Sequence, residues 1–468
     1  MLEGLEISIL NNHDIERTLR FDAEFYSKKN LLLENRLKAL NANKLTDYAV
    51  ISDGNHMSIS DSFTDKGVPY YRGGDIYNMF IEQCPDPLYI PRSVFNMKTM
   101  QRSHLKKGDI LMSIVGAIIG NLSLVSTDND ATCSCKLAII RPFANLSPEY
   151  MITFLMSEIG QSQIQRYRRG SGQTGFILED FDQLLIPELS DKIDAFVKGC
   201  FNKAKQNYIL SIEKYNSAVT LLYEQISLQN LQLNTSNIRI QNYKNSYLDS
   251  GRLDAEYYQS KYDVLFERLL KVDCKKIEEI KEINYRGFQP EYVDNGKIDV
   301  INSKHILENG LDYDNFEKTD ENSYDEVERS HVKYGDILTY TTGANIGRTQ
   351  AYLSDRKAMA SNHVNMLRVK DVNPIYLALV LNSMIGRMQT ERACTGSAQA
   401  EIYPSDIEKF VVPILDEPIQ ETIASKVLES FAMKTESKRL LNVAKEAVEI
   451  AISDSEEKAI AYIRESIK

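Results

Sequence analysis

His104-Leu105-Lys106-Lys107-Gly108-Asp109-Ile110-Leu111 returns 227 residues later as His331-Val332-Lys333-Tyr334-Gly335-Asp336-Ile337-Leu338. The same offset carries Gly116-Ala117-Ile118-Ile119-Gly120 onto Gly343-Ala344-Asn345-Ile346-Gly347, Ser134 onto Ser361 and Arg141 onto Arg368. One residue is then lost. At an offset of 226, Pro148-Glu149-Tyr150 meets Pro374-Ile375-Tyr376, Gly170-Ser171-Gly172-Gln173 meets Gly396-Ser397-Ala398-Gln399, and Asp180 and Pro187 meet Asp406 and Pro413. Upstream, Arg20-Phe21-Asp22-Ala23-Glu24-Phe25-Tyr26 meets Arg252-Leu253-Asp254-Ala255-Glu256-Tyr257-Tyr258 at an offset of 232. So many matches in one order mean that two copies of a unit of roughly 230 residues are fused head to tail.

Each copy has the same internal order: a helical lead-in, a mixed globular region, then a long helix. The spacing predicts a lead-in over 1–43, a first globular region over 44–189 and a central helix over 190–232. A second lead-in follows over 233–274, then a second globular region over 275–415 and a C-terminal helix over 416–468. Both globular regions begin with strand-like pieces. Gly67-Val68-Pro69-Tyr70-Tyr71-Arg72-Gly73-Gly74-Asp75-Ile76 corresponds to Lys297-Ile298-Asp299-Val300-Ile301-Asn302-Ser303-Lys304-His305-Ile306, punctuated by turn-forming residues. In the central helix Ile193, Val197, Cys200, Ala204, Ile212, Tyr215, Val219, Leu222 and Ile226 fall mostly three or four apart. Ile419, Ile423, Val427, Phe431, Leu441, Val448, Ile452, Ala459 and Ile463 do the same in the last. Two amphipathic helices in one chain bury their stripes against each other. The expected fold is α+β, with two duplicated globular regions separated by a pair of long antiparallel, coiled-coil-like helices in pseudo-two-fold symmetry.

The composition bounds the function. With 468 residues, 43% of them hydrophobic, the chain has ample material for packed cores. No apolar run approaches the roughly 20 residues that cross a bilayer. The longest, Ile110 to Ile119, is interrupted by Ser113 and Gly116. The start, Met1-Leu2-Glu3-Gly4, lacks a basic segment followed by an apolar one, so a cytoplasmic address is expected. Six cysteines are scattered; only Cys133 and Cys135 lie close together, without the spacing of a zinc site. The net charge of −11 is unusual for a lone nucleic-acid binder, whose footprint is commonly basic.

Both globular regions resemble the target recognition domains of type I restriction–modification specificity subunits. The resemblance rests on the "GDIL" strand followed by a Gly-xxx-Gly turn, on "PYYRGGDI" and "VINSKHI", and on the closing "GSGQTGFILEDFDQLLIP" and "GSAQAEIYPSDIEKFVVP". It covers nearly the whole chain, in the order of that family. The resemblance implies that each head reads one half of a bipartite, asymmetric site on double-stranded DNA. It implies that the helices set the unread gap and dock two methyltransferase subunits, joined by restriction (motor) subunits. It implies that the chain is not itself an enzyme and holds no cofactor. S-adenosylmethionine, ATP and Mg belong to the partners, and no membrane is involved.

The residues agree with a chain that performs no chemistry. Asn373-Pro374-Ile375-Tyr376 approaches a methyltransferase motif but lacks its second proline, and its repeat is Ser147-Pro148-Glu149-Tyr150. A capped helix start with proline at its first position explains both copies better. No GxxxxGK[ST] loop is present. Gly116 and Gly343 read as tight-turn glycines. Asp109 and Asp336 read as turn or exposed residues, and His104 and His331 as structural or phosphate-contacting ones.

Reading DNA needs cations for phosphates and donors or acceptors for base edges. The densest such stretch in the first head is Gln165-Arg166-Tyr167-Arg168-Arg169-Gly170-Ser171-Gly172-Gln173. Arg166, Arg168, Arg169, Ser171 and Gln173 are its candidates; the alternative is a solvated helix end. The second copy retains Arg392, Ser397 and Gln399 but loses two arginines, as two different half-sites require. A further group joins Tyr71, Arg72, Lys106 and Lys107 to Asn302, Lys304, His305 and Lys333, with ordinary strand-edge surface as its alternative. Arg286 and Gln289 complete the set. The competing function is a protein–protein scaffold, derived from the same duplication, whose heads no longer read DNA.

Overall fold

The structure, a computed structural model, describes residues 7–12, 15, 20–77, 79–84, 86–170, 174–229, 231, 238–248, 250–395 and 400–466. It divides into two compact units: residues 1–207 with 436–468, and residues 208–435.

Unit 1 opens with helix α1 (Lys28–Ala39), capped by Ser27, whose hydroxyl accepts from Asn30 N. Its strands follow in order: β1 (Asn43–Lys44), β2 (Ala49–Asp53), β3 (Val68–Tyr71), β4 (Leu88–Ile90), β5 (Ile110–Ser113), β6 (Leu122–Leu124), β7 (Thr132–Cys133) and β8 (Leu137–Pro142). Four of them form an antiparallel sheet in the order β2-β8-β5-β6, and three form a second sheet, β4-β3-β7. In the second sheet β3 and β7 run parallel. Burial on both faces explains the unbroken apolar runs in β5 and β8. Helices α2 (Pro148–Met156) and α3 (Glu158–Arg166) follow. The Ser147 hydroxyl accepts from Tyr150 N with Pro148 at the first turn of α2, so the helix-start reading holds. Strand β9 (Leu185–Ile186) pairs back with β1, and helix α4 (Asp191–Gln225) begins.

Unit 2 repeats the plan. After α5 (Ser260–Leu269) come β10 (Cys274–Lys276), β11 (Lys281–Arg286), β12 (Ile298–Ile301), β13 (Ile306–Leu307), β14 (Gly310–Leu311), β15 (Glu317–Thr319), β16 (His331–Val332), β17 (Ile337–Tyr340), β18 (Thr349–Ala351), β19 (Ala358–Ala360) and β20 (Val364–Val369). The order β11-β20-β17-β18 reproduces β2-β8-β5-β6, and the parallel pair β12–β19 reproduces β3–β7. Helices α6 (Pro374–Asn382) and α7 (Met384–Ala393) and strand β21 (Val411–Pro413) match α2, α3 and β9. Asn373 caps α6 by accepting from Ile375 N and Tyr376 N. The last helices are α8 (Glu417–Ser453) and α9 (Glu456–Ser466).

Each unit contains a segment of both long helices. Within unit 1, Val197 and Ala204 of α4 share a core with Ala444, Ala447, Val448 and Ala451 of α8. Ser437 Oγ donates to Ala204 O at 2.7 Å. Within unit 2, Ala218, Leu222 and Ile226 of α4 pack with Ile423, Ala424 and Val427 of α8. There Ser430 Oγ donates to Ser211 O at 2.7 Å and Lys426 Nζ to Ser217 Oγ at 3.0 Å, while Lys214 pairs with Glu429 at 2.5 Å. As the residue number rises on one helix it falls on the other, so the segments run antiparallel.

One reading requires correction. Asp109 and Asp336 are neither exposed nor mere turn residues, being 1% and 0% exposed. Arg141 Nε and Nη2 each donate to Asp109 at 2.7 Å, and Arg368 does the same to Asp336 at 2.7 and 2.8 Å. The pairing that the repeat showed as Arg141 with Arg368 is thus a duplicated buried ion pair, since an aspartate at a strand start is affordable in a core only when a cation meets it. His104 and His331 are structural: each ring stacks on an aromatic side chain (Phe95 at 3.8 Å, Tyr324 at 3.6 Å) with Nε2 against that residue's carbonyl oxygen.

Candidate nucleic-acid interface

Strand direction decides where the polar loops gather. In unit 1, β2 ends at Asp53, β3 at Tyr71, β5 at Ser113 and β7 at Cys133, while β8 starts at Leu137 opposite Ser113. All these termini lie on one edge, and backbone hydrogen bonds stitch the loops leaving them. Asn55 N donates to Cys133 O (2.8 Å), Ser134 N to Tyr71 O (2.9 Å), Cys135 N to Asn55 O (3.0 Å) and Ile114 N to Lys136 O (3.1 Å). Gly116 N donates to Thr174 O (2.9 Å), which brings the arginine-bearing loop to the same rim. Gly116 and Gly120 have φ of 79° and 92°, Gly343 and Gly347 of 115° and 84°, so these are the left-handed turn glycines the sequence indicated.

Unit 2 builds the same rim. Phe288 N donates to Ala360 O (2.9 Å), Ser361 N to Ile301 O (3.0 Å), Thr341 N to His363 O (3.1 Å) and Gly343 N to Ala400 O (3.1 Å). The frame is shared, but its side chains are not. The rim of unit 1 presents His56, Arg72, Lys136 and Arg169, all exposed. The rim of unit 2 presents Phe288, Gln289, Lys304, Asn362, His363 and Tyr403 at its surface. One rim is mainly cationic; the other is mainly neutral, with aromatic and amide groups.

The residues singled out from sequence separate into three groups. Arg72, Arg168 and Arg169 lie on the first rim, and Arg286, Gln289, Asn302 and Lys304 on the second. Arg72 side chain faces Asp75 at 3.3 Å and is half exposed. Arg168 donates to Gln165 Oε1 (2.6 Å) and Thr174 Oγ1 (3.2 Å), while Arg169 pairs with the buried Asp180. Arg286 is held by Glu401 Oε1 and Ile402 O, both at 2.6 Å, and lies 4.8 Å over the Tyr403 ring. That guanidinium holds the Glu401 carboxyl below its ordinary range. Gln289 is exposed, bonded only to the adjacent Pro290 O among the described residues. Asn302 and Lys304 both bond to Glu317.

A second group is packed away from solvent. Tyr71 is 5% exposed in the sheet core, and burial raises its phenol well above the ordinary value. His305, 1% exposed, caps a turn: its Nδ1 accepts from Asn302 N at 2.9 Å, as Asp75 Oδ2 accepts from Arg72 N at 2.7 Å in unit 1. Burial lowers the His305 pKa, opposed by Glu317. Arg166 donates to Phe25 O at 2.9 Å, pairs with Glu34 at 2.8 Å and lies 4.3 Å from the centre of the Phe25 ring, against which Arg20 also lies, at 4.8 Å. Arg392 and Arg252 flank Tyr257 at the same two distances. These cation–π stacks fasten the lead-ins, so neither arginine belongs to a rim.

The third group is elsewhere. Lys106, Lys107 and Lys333 are exposed but precede β5 and β17, at the opposite ends of those strands from the rims. They do not join Arg72 or Asn302. Ser171, Gln173, Ser397 and Gln399 lie outside the described residues. His56, Lys136, Asn362, His363 and Tyr403 were not found from sequence. Lys136 and His363 share the offset of 227 and stand two residues after the matched Ser134 and Ser361, so the repeat contained a signal for them. Among the described residues, no helix is long and apolar enough to cross a membrane.

A family model described as the Type I restriction modification DNA specificity domain matches residues 271–444. No curated protein matches the chain. Among the similar solved structures, three span most of the chain. One is the Type-I restriction-modification system S subunit from M. genitalium, at 12% identity over 87% of this chain and 95% of that one, with a TM-score of 0.41. Another is the HsdS subunit from Thermoanaerobacter tengcongensis, at 13% identity over 88% and 96%, with a TM-score of 0.29. The third comes from a study of complex assembly and conformational transition of the type I R-M system, at 11% identity over 91% and 96%, with a TM-score of 0.27.

Proposed function

We propose that this chain, a member of the type I restriction–modification DNA specificity family through its residues 271–444, reads a bipartite, asymmetric DNA site with one rim per unit. The observation that carries this reading is the duplicated rim: one backbone frame presented twice with different side chains. A shared frame suits docking against the same regular duplex, and different donors and acceptors suit different base sequences. The cationic rim of unit 1 also suits phosphate contact.

The chain would act without chemistry of its own or a bound cofactor. Two methyltransferase subunits would supply S-adenosylmethionine chemistry, and restriction subunits the ATP- and Mg-dependent steps. This arrangement accounts for a net charge of −11 in a DNA reader, because partners would provide much of the non-specific attraction. The isolated chain should then bind DNA weakly, and the complex tightly and with strong salt dependence. The long helices would set the gap: one added turn in both α4 and α8 should lengthen it and leave both half-sites unchanged.

The test is co-expression with the methyltransferase partner followed by single-molecule mapping of methylated adenines. Methylation confined to one bipartite motif, and dependent on this chain, supports the reading. A complex without sequence-restricted methylation would favour the scaffold function instead.

A further inference from the structure

The loops leaving β2 and β11 are the same loop in two chemical versions. Gly54 N donates to Leu137 O (3.2 Å) and Gly287 N to Val364 O (3.0 Å). Asn55 N donates to Cys133 O (2.8 Å) and Phe288 N to Ala360 O (2.9 Å). All four partners obey the repeat offset of 227, while the loops themselves stand 233 apart. The difference arises because the segment between this loop and its partners is six residues shorter in the second copy (79 residues from Gly54 to Cys133 against 73 from Gly287 to Ala360), while an irregularity in β11 between Lys281 and Ile283 adds one residue ahead of the loop. Both glycines are obligatory. A Cβ on Gly54 would sit 2.4 Å from Cys133 O, and one on Gly287 would sit 2.0 Å from Ala360 O. The loop therefore crosses directly over the β7 and β19 exits, and its next two side chains stand at the rim.

This equivalence aligns Asp53 with Arg286, Asn55 with Phe288 and His56 with Gln289. Backbone and glycine are kept while every side chain around them changes. The two inward members are committed to the protein: Asp53 pairs with His56 and Arg102, and Arg286 with Glu401. The outward members are His56, whose side chain is 59% exposed, and Gln289. The Asn55 side chain braces the first loop, accepting from Met57 N and donating to Met57 O, both at 2.9 Å. His56 Nε2 lies 2.5 Å from Asp53 Oδ2. A carboxylate only accepts, so Nε2 carries the proton and Nδ1 is left for another partner.

We infer that His56 and Gln289 occupy one duplicated base-reading position, each contributing one base pair of discrimination to its own half-site. The inference rests on the DNA-reading function proposed above. Asp53 is a positioning residue that holds the imidazole through Nε2 and so leaves Nδ1 for a base edge. Gln289 offers an amide able to pair both edge groups of adenine in the major groove.

The experiment is methylation mapping of the co-expressed complex carrying His56→Ala, Gln289→Ala or His56→Gln. His56→Ala should relax discrimination at one position of one half-site by roughly 5- to 150-fold, the range of a good base contact. Gln289→Ala should do the same at one position of the other half-site. His56→Gln should change the preferred base there and leave the second half-site intact. Both side chains are at the surface, so neither change threatens folding. If wild type methylates a bipartite motif and both alanine variants retain it unaltered, the inference is overturned while the DNA-reading function stands. If wild type shows no motif, both fail together.

Discussion

Asp109 accepts two charge-assisted hydrogen bonds from Arg141 and one from Lys106 N at 2.8 Å. Arg141→Met keeps the aliphatic stem but leaves a carboxylate that is 1% exposed with only the backbone donor among those partners. Removing one member of a buried pair costs about 3–5 kcal/mol. The Arg141 side chain is 37% exposed, so water replaces part of what is lost, and the expected cost is about 2–3 kcal/mol. The Arg368 side chain is 26% exposed over a fully buried Asp336, so Arg368→Met should cost more, about 3 kcal/mol or slightly above. At about 2–4 °C per kcal/mol for a unit of this size, the melting temperature falls by roughly 5–10 °C. Thermal and urea unfolding of the two single variants and of the double variant Asp109→Leu/Arg141→Met measure this. The double variant should recover much of the loss, because no charge is then left buried. A single variant melting within a degree of wild type, or a double variant no more stable than Arg141→Met alone, would refute the reasoning.

Further outcomes are expected from the rims and their supports. Gly54→Ala and Gly287→Ala each force a Cβ into a carbonyl oxygen, so each should lower stability by about 1–3 kcal/mol and blur its own half-site, measured by unfolding and by methylation mapping. Arg169→Ala should weaken DNA binding of the complex without changing the motif and reduce the salt slope of binding by about one, read from affinity against salt. The opposite result, a changed motif at an unchanged slope, would make Arg169 a base reader. His305 is buried and its folded pKa lies below the ordinary 6.5. The unfolded chain therefore takes up a proton first as pH falls, so stability is fully present above about pH 6.5 and declines below it. His305→Asn retains an acceptor for Asn302 N and should flatten the stability profile between pH 7 and 5.5; an unchanged slope would mean that other groups dominate it.

How much of this was legible beforehand depends on the interaction. The helix starts at Ser147 and Asn373 and the glycine turns at Gly116 and Gly343 are local, set by a few adjacent residues, and were read correctly. Asp109 and Arg141 are 32 residues apart, and the matched offset marked both without revealing that they meet. Arg166 looked like part of a cationic loop because its neighbours are cations. Its helix instead turns it toward Phe25 and Glu34, 141 and 132 residues earlier. Tyr71 and His305 lie in the right segments but on the inward side, since strand and turn direction, not composition, decides which side chain faces water. His56 escaped notice because an irregularity in β11 shifts the offset around it from 232 to 233.

By itself the sequence determined the duplication, the order of elements within each copy and the two long amphipathic helices. Repeats, periodicity and caps are properties of neighbouring residues and survive without three-dimensional knowledge. The tertiary structure alone decided which polar groups share an edge. Strand direction places the ends of β2, β3, β5 and β7 together and sends Lys106 and Lys107 to the far side, although they are close in sequence to the Gly116 turn. Antiparallel pairing brings distant loops together and separates the two ends of one strand, so a site built from strand ends becomes visible only when the sheet is assembled.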